Sequence, residues 1–335
     1  MLKKLIISNL NVNEQAKGIM LVLGINERKA ASGSTYCVIK LSDGERVIEA
    51  KCFDTTADSV SHLYQKIVLV TISAQLYRDN ISYIITDIAE HYEMTTEDID
   101  SFLIKTPIPA NVMYDEILRI LDSYTKEHIF WETLNVLVKE IYEKNKTELL
   151  RWSAAKSIHH SMIGGLLFHT YSMMIMGTKL ADIYPSVDMQ LLLAAIALHD
   201  IGKLRELYTD KVGNTSYTTD GQLLGHSVLG IKMIDEVDNL QRFDDNEITN
   251  LKHCIAAHHG SKEFGAIVVP QTIEAHIVHC LDSLDAKAFQ FEQAFETIDF
   301  GEFTKNSIYG LGDIHAYKPS FKAEREWCLS EINNE

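Results

Sequence analysis

The chain has no basic excess, no framework of paired cysteines and no long apolar run. Against 31 lysines and arginines stand 47 aspartates and glutamates, a formal charge of −16 with a pI near 5.3. That balance excludes a protein that grips nucleic acid through a broad basic surface. Five cysteines (Cys37, Cys52, Cys254, Cys280 and Cys328) are scattered without a CxxC spacing. They read as reduced thiols rather than as a disulfide scaffold. The apolar run Leu191–Leu198 is far too short to span a bilayer. The first ten residues carry two lysines but neither the apolar core nor the small-residue cleavage site of a secretory signal. A soluble cytoplasmic protein with no membrane partner is expected. What is present is ordinary globular composition, 46% hydrophobic and 23% charged over 335 residues, enough chain for two domains.

Histidine breaks the even spread. Ten of the 14 fall between His159 and His279, and crowding of this kind is what a metal or acid–base site requires.

Residues 16–90 read as strands. The segments 17–25, 35–41, 46–53, 67–74 and 81–88 carry β-branched or aromatic residues. Ser42-Asp43-Gly44 supplies a hairpin turn in which Gly44 can take a positive φ. In the third segment Ile48, Ala50 and Cys52 share one face, and Glu49, Lys51 and Phe53 the other. With a helical insert over 56–64, the pattern fits a small closed barrel of the OB type as well as it fits any five-stranded meander. From Thr95 onward the apolar spacing turns to threes and fours, predicting helices over 111–124, 126–144, 164–183, 189–199, 225–237, 246–259 and 272–291. Thr106-Pro107-Ile108-Pro109 reads as a linker, and 210–221 and 260–270 as loops. The expected fold is multi-domain β plus α, an N-terminal five-stranded β-barrel followed by an all-α bundle. It divides into 1–92, a helical linker region 93–155, 156–320 and a C-terminal tail 321–335. Residues 1–90 hold ten basic and ten acidic side chains, so the acidic excess belongs to the helical part.

The helical part holds groups suited to metal. His169 lies in the helix after Gly164-Gly165, and His199-Asp200 closes the apolar helix ahead of Ile201-Gly202-Lys203. His226 opens a helix after Gly225, His258-His259 closes another before Gly260, and Asp282 lies within the last long helix. Imidazoles and carboxylates suit Mn, Fe, Zn or Mg. Neighbouring residues on a helix diverge by about 100°, so a doublet can face one point only near a helix end. Both doublets stand at predicted ends followed by glycine. A carboxylate such as Asp200 can bridge two ions, which then clamp the attacking and leaving oxygens of a phosphate ester. Lys203 adds positive charge for a phosphoryl oxygen.

The order H…HD…H…HH…D resembles the HD-domain metal-dependent phosphohydrolases. More closely, Gly164-Gly165-Leu166-Leu167-Phe168-His169, Leu198-His199-Asp200-Ile201-Gly202-Lys203, Leu223-Leu224-Gly225-His226, His258-His259-Gly260, Leu284-Asp285-Ala286-Lys287 and Tyr317-Lys318-Pro319-Ser320-Phe321 resemble the YhaM-type 3′–5′ exoribonucleases. Those enzymes place an OB-fold domain ahead of an HD domain, which implies an OB-fold nucleic-acid-binding domain over 1–92 and an HD domain over 156–320. The resemblance implies metal ligands at His169, His199, Asp200 and Asp282, with His226, His258 and His259 completing a second site. It leaves open which of His258 and His259 is a ligand and which touches phosphate or leaving group. Asp200, Lys203 and His258 are the candidates for catalytic roles. His159 and His160 are either substrate contacts or a polar loop. His279 and Asp285, one turn to either side of Asp282, are candidates to orient a ligand. The stretch 265–270 departs from the Gly-Ser-Pro common in related sequences, which leaves the shape of that loop open.

On the barrel, Tyr36, Phe53, Tyr77 and Tyr83 are candidates to stack bases, with Lys40, Arg46 and Lys51 near phosphates, although strand aromatics also serve as core. The expected activity is a divalent-metal-dependent 3′–5′ exoribonuclease with two ions. Mn²⁺ is favoured, and Fe or Co satisfies the same ligands. The substrate is single-stranded RNA, with single-stranded DNA a second candidate, and the products are nucleoside 5′-monophosphates. Helices over 111–144 serve either a homo-oligomer interface or the chain's own core. Two rival readings are an HD phosphodiesterase acting on small or cyclic nucleotides, and a non-catalytic RNA-binding module.

Overall fold

The alternating segments at the N-terminus close on themselves. In the computed structural model, which describes residues 3–77, 80–91, 95–126, 128–153 and 162–320, five strands form a closed barrel. They are β1 (Gln15–Lys29), β2 (Thr35–Ser42), β3 (Val47–Phe53), β4 (Ile67–Tyr77) and β5 (Asn80–Glu90), in the order β1-β2-β3-β5-β4. Closure follows from the length of β1. Its first half pairs with β4 from Gln15 to Leu21, and its second half pairs with β2 from Leu21 to Lys29. A register shift between Val22 and Gly24 marks the bend between the two halves. β3 and β5 are the parallel pair that completes the ring, and α1 (Ala57–Val60) lies between β3 and β4, the OB arrangement. Alternation puts Cys37, Ile39, Leu41, Ile48, Ala50 and Cys52 into the barrel core. Gly44 turns the β2–β3 hairpin at φ 96°, and Asp43 holds that turn by accepting from the Glu45 and Arg46 N–H groups at 2.8 and 2.6 Å.

The chain divides into two compact units, Met1–Lys105 with Asp210–Asn214, and Thr106–Thr209 with Thr215–Glu335. The first unit also holds α2 (Thr96–Asp100). The second is built from α3 (Ala110–Ser123), α4 (Leu134–Lys144), α5 (Lys146–Leu149), α6 (Gly165–Thr178), α7 (Met189–Leu198), α8 (Lys203–Glu206), α9 (Thr219–Asp235), α10 (Asp245–Ala257) and α11 (Ile273–Phe295). A short hairpin of β6 (Leu207–Thr209) and β7 (Thr215–Tyr217) interrupts the helices. α7 is apolar all round and buried from Leu192 to Leu198, as a helix at the centre of a bundle must be. Its N-terminus is capped by Asp188, which accepts from the Gln190 and Leu191 N–H groups. Near its other end, the Tyr142 hydroxyl donates to the Ala197 carbonyl at 2.8 Å.

The apolar faces of α3 and α4 (Met113, Ile117, Leu121, Leu137, Val138 and Ile141 among them) are buried in the same core as α6 and α7. α3 and α4, within the 93–155 region expected as a helical linker, thus contribute to the core of the second unit. The helix predicted over 126–144 starts only at Leu134. Ile129 and Phe130 are 92% and 85% exposed, so the first part has no apolar face to bury, and Glu132 instead pairs in extended form with Phe243. The helix predicted over 164–183 stops at Thr178, and residues 179–183 continue as turns. The helix predicted over 225–237 begins earlier, at Thr219, and breaks at Gly225 (φ 72°, ψ 160°).

Candidate metal centre

Five helix segments of the second unit deliver their ligand-type side chains to one place. His169 projects from α6, His199-Asp200 follow α7, His226 follows the break in α9, His258-His259 follow α10, and Asp282 lies on α11. His169, His199, Asp200 and His258 are all buried.

Two groups of donors form. His169, His199 and Asp200 make one, and His226, His258 and His259 the other, with the ligand atoms of each group within 4.8 Å of one another. Asp282 adds to the first through Oδ1, 3.3 Å from His169 Nε2. Asp200 stands between them. Its Oδ2 lies 3.3 Å from His199 Nε2, and its Oδ1 lies 3.5 Å from His226 Nε2 and 3.9 Å from His258 Nε2.

The tautomers follow from what each ring touches on its far side. Nδ1 of His199 faces the Ile196 carbonyl at 2.8 Å, and Nδ1 of His258 faces the Ile255 carbonyl at 2.7 Å. Nδ1 of His169 faces Asp285 Oδ2 at 2.6 Å, and Nδ1 of His226 faces Glu206 Oε1 at 3.0 Å. All four partners are acceptors, so Nδ1 carries the hydrogen and Nε2 turns a lone pair inward. Nε2 atoms then meet Nε2 atoms, His169 with His199 at 3.2 Å, His226 with His258 at 3.2 Å and His226 with His259 at 3.0 Å. Where both nitrogens of such a pair are unprotonated, as burial favours at His258 and His259, their lone pairs repel unless a shared cation lies among them. This donor set fits a divalent metal.

The charges agree. Burial on its own raises the Asp200 carboxyl, but the Lys203 ammonium and the His199 ring outweigh it and hold the group well below the ordinary carboxylate range. Lys203 Nζ lies 2.6 Å from Asp200 Oδ2. Burial works to lower the lysine, yet the Asp200 carboxylate raises it above its ordinary value, so both stay ionised. Burial works against the Asp282 carboxylate too, and the hydrogen bond from His169 depresses it nevertheless. Burial keeps His258 and His259 neutral, assisted by His259 for the first and His226 for the second. At His169 burial is overcome by Asp282 and Asp285, which raise the ring to about 10, and a cation at Nε2 would take the place of that proton.

The structure thus brings together all seven ligand candidates and Lys203, and gives Asp285 a bond to His169. His279 donates from Nδ1 to the His258 carbonyl at 2.9 Å. It packs so closely on Gly260 that a Cβ there would lie 2.3 Å from the ring. Glu206, absent from the sequence expectations, is the residue that the structure adds. His159 and His160 lie outside the described residues. Leu223, Leu224 and Phe264, near His226 and His259 in the chain, are exposed.

Gly202, two residues after Asp200, sets the approach of α9. A Cβ at this position would lie 1.9 Å from the His226 carbonyl oxygen and 2.6 Å from the Gly230 nitrogen. Both are backbone atoms that cannot rotate away. Gly202→Ala is expected to cost about 3 kcal/mol and to displace His226. Thermal unfolding with and without added metal checks it, and wild-type melting in both conditions is the contrary result.

On the barrel, Tyr36 and Phe53 are cross-strand partners with ring centroids 5.7 Å apart. Lys51 lies over the Tyr77 ring at 5.4 Å, and Lys40 is exposed opposite Glu49. These share the outward face of their strands. Tyr83 does not, because it packs against the barrel core. Arg46, exposed just ahead of β3, lies near Tyr83, whose hydroxyl burial raises and Arg46 lowers. Tyr83 therefore does not belong with the outward aromatic set.

An HD-domain family model matches residues 166–287. The chain is 32% identical over 311 residues to the 3′–5′ exoribonuclease YhaM of Bacillus subtilis, covering 92% of this chain and 96% of that one. It is 30% identical over 312 residues to the protein of the same name from Oceanobacillus iheyensis, covering 93% and 96%. Among solved structures, the mitochondrial single-stranded DNA binding protein Rim1 of S. cerevisiae aligns with 23% of this chain and 94% of its own at 12% identity, with a TM-score of 0.20.

Proposed function

Because the chain belongs to the YhaM family of 3′–5′ exoribonucleases, we propose that it degrades single-stranded RNA one nucleotide at a time at a centre holding two divalent ions. It is a metal-dependent hydrolase with a nucleic-acid substrate. The observation that carries the two-ion reading is the division of the donors into two groups with one Asp200 oxygen turned to each. His169, His199, Asp200 and Asp282 would hold one ion, and Asp200, His226, His258 and His259 the other, with Mn²⁺ the best match to imidazole and carboxylate together. Bound divalent ions supply Lewis acidity and a nucleophile at neutral pH.

The chain's own residues do the rest. Lys203, held by Asp200, keeps a buried positive charge beside the site, suited to a phosphoryl oxygen. His258 and His259, kept neutral by burial, are the candidates to contact the phosphate or the departing 3′-oxygen. The barrel of residues 1–92 presents the strand, and the HD region 156–320 cuts it. Products are nucleoside 5′-monophosphates, and single-stranded DNA is a second substrate. No helix among the described residues is long and apolar enough to cross a membrane, in keeping with work in the cytoplasm. A homo-oligomer would have to use surface other than the apolar faces of α3 and α4, which are spent in the core.

Binding rests on stacking and a few lysines, since the barrel has no net charge. Phe53→Ala removes a half-exposed ring from the outward face. It is expected to raise KM for a long RNA about tenfold, as loss of one base stack would, with kcat unchanged. Steady-state kinetics on a labelled 30-mer decide it, and an unaltered KM removes Phe53 from the binding face.

A further inference from the structure

We infer that Glu206 is the positioning residue of the second ion site and makes that half of the centre separately losable. The inference rests on the two-ion reading above. In an unbroken helix the His226 N–H would bond a carbonyl four residues back. The break at Gly225, with φ at 72° where glycine is favoured, frees that N–H. Glu206 Oε1 takes it at 3.1 Å, and the same oxygen accepts from Nδ1 of the same residue at 3.0 Å. One buried carboxylate oxygen therefore caps the second part of α9 and fixes the ring that the cap carries.

Glu206 is itself held tightly. Its carbonyl accepts from the Thr218 N–H at 2.9 Å. Gly221 packs so closely that a Cβ there would lie 2.2 Å from that carbonyl oxygen. α8 and the start of α9 thus form a clasp whose side-chain end is the bond to His226. The other rings differ. His199 and His258 are oriented by carbonyls three residues back in their own helices, which come with the helix end. His169 is oriented by Asp285 from α11. Of these four rings, His226 is the one shown to take both its main-chain and its ring anchor from a single side chain of another element. Removing Glu206 releases His226 while leaving His169, His199 and their anchors in place.

The experiment is titration of Mn²⁺ into metal-free full-length protein by calorimetry, for wild type, Glu206→Ala and Glu206→Gln. Two ions are expected for wild type. For Glu206→Ala the first ion keeps its affinity and the second weakens about 10- to 100-fold, the usual cost of losing a residue that orients a ligand. Glu206→Gln, whose amide oxygen can still accept both bonds, falls between them and serves if the alanine variant does not fold. RNA degradation by Glu206→Ala then recovers at correspondingly higher Mn²⁺, which a merely misfolded site would not do. Two ions bound by Glu206→Ala with wild-type affinity overturn the inference. So does loss of both ions by Glu206→Gln. A single ion in wild type overturns the two-ion reading itself, a distinct failure.

Discussion

Replacing Asp200 with Asn is expected to cut kcat for RNA degradation by at least about 10³-fold, the scale lost when a principal charge-stabilising group is removed. Asp200 turns one oxygen to each donor group, so a single substitution weakens both ion sites together. A neutral amide of the same shape keeps the volume and loses the charge. It also leaves Lys203 buried without its 2.6 Å partner. Removing one member of a buried pair costs about 3–5 kcal/mol, so the variant should melt lower even without metal. Single-turnover kinetics and a thermal melt measure the two effects. Wild-type kcat in Asp200→Asn would remove Asp200 from the chemistry.

Chelation is expected to abolish RNA degradation and to lower the melting temperature of the helical unit by about 10 °C or more. Metal bound only by the folded state stabilises it by about 2.7 kcal/mol at a concentration of 100 Kd for one site, and so by about 5 kcal/mol for two. In a unit of more than 200 residues each kcal/mol moves the midpoint by roughly 2–4 °C. The physical source is the inward-turned Nε2 atoms 3.0–3.2 Å apart, which a shared cation converts from repulsion to attraction. Scanning calorimetry with and without Mn²⁺ reads the shift, and coincident melts would mean that these donors hold no ion.

The barrel was legible from β3, where burial alternates and one face meets the core while the other meets solvent, whereas on β2 the buried run Cys37–Ile39 blurs the alternation. The sequence pattern stopped short on β1, because Asn26–Lys29 pair with β2 through the main chain while their side chains bury nothing. The ligand candidates were legible because histidines crowd into this part of the chain and the His199-Asp200 and His258-His259 doublets stand at helix ends followed by glycine. Glu206 was not. In the sequence it is one more acid beside an arginine, and its role exists only because Gly202 and Gly221 let α9 approach closely enough for His226 to reach it. Ile129 and Phe130 misled in the other direction, since their spacing suits a helix that has no surface to pack on. Local pattern reports what a segment could bury. Tertiary approach decides which polar groups meet.

The most direct test is a time course of 5′-labelled single-stranded RNA with purified protein, with Mn²⁺ and after chelation. The label stays on products that shorten stepwise from the 3′ end when Mn²⁺ is present, and the RNA stays intact when it is withdrawn. Degradation that persists without a divalent ion, or label released at once as a mononucleotide from the 5′ end, would contradict the account.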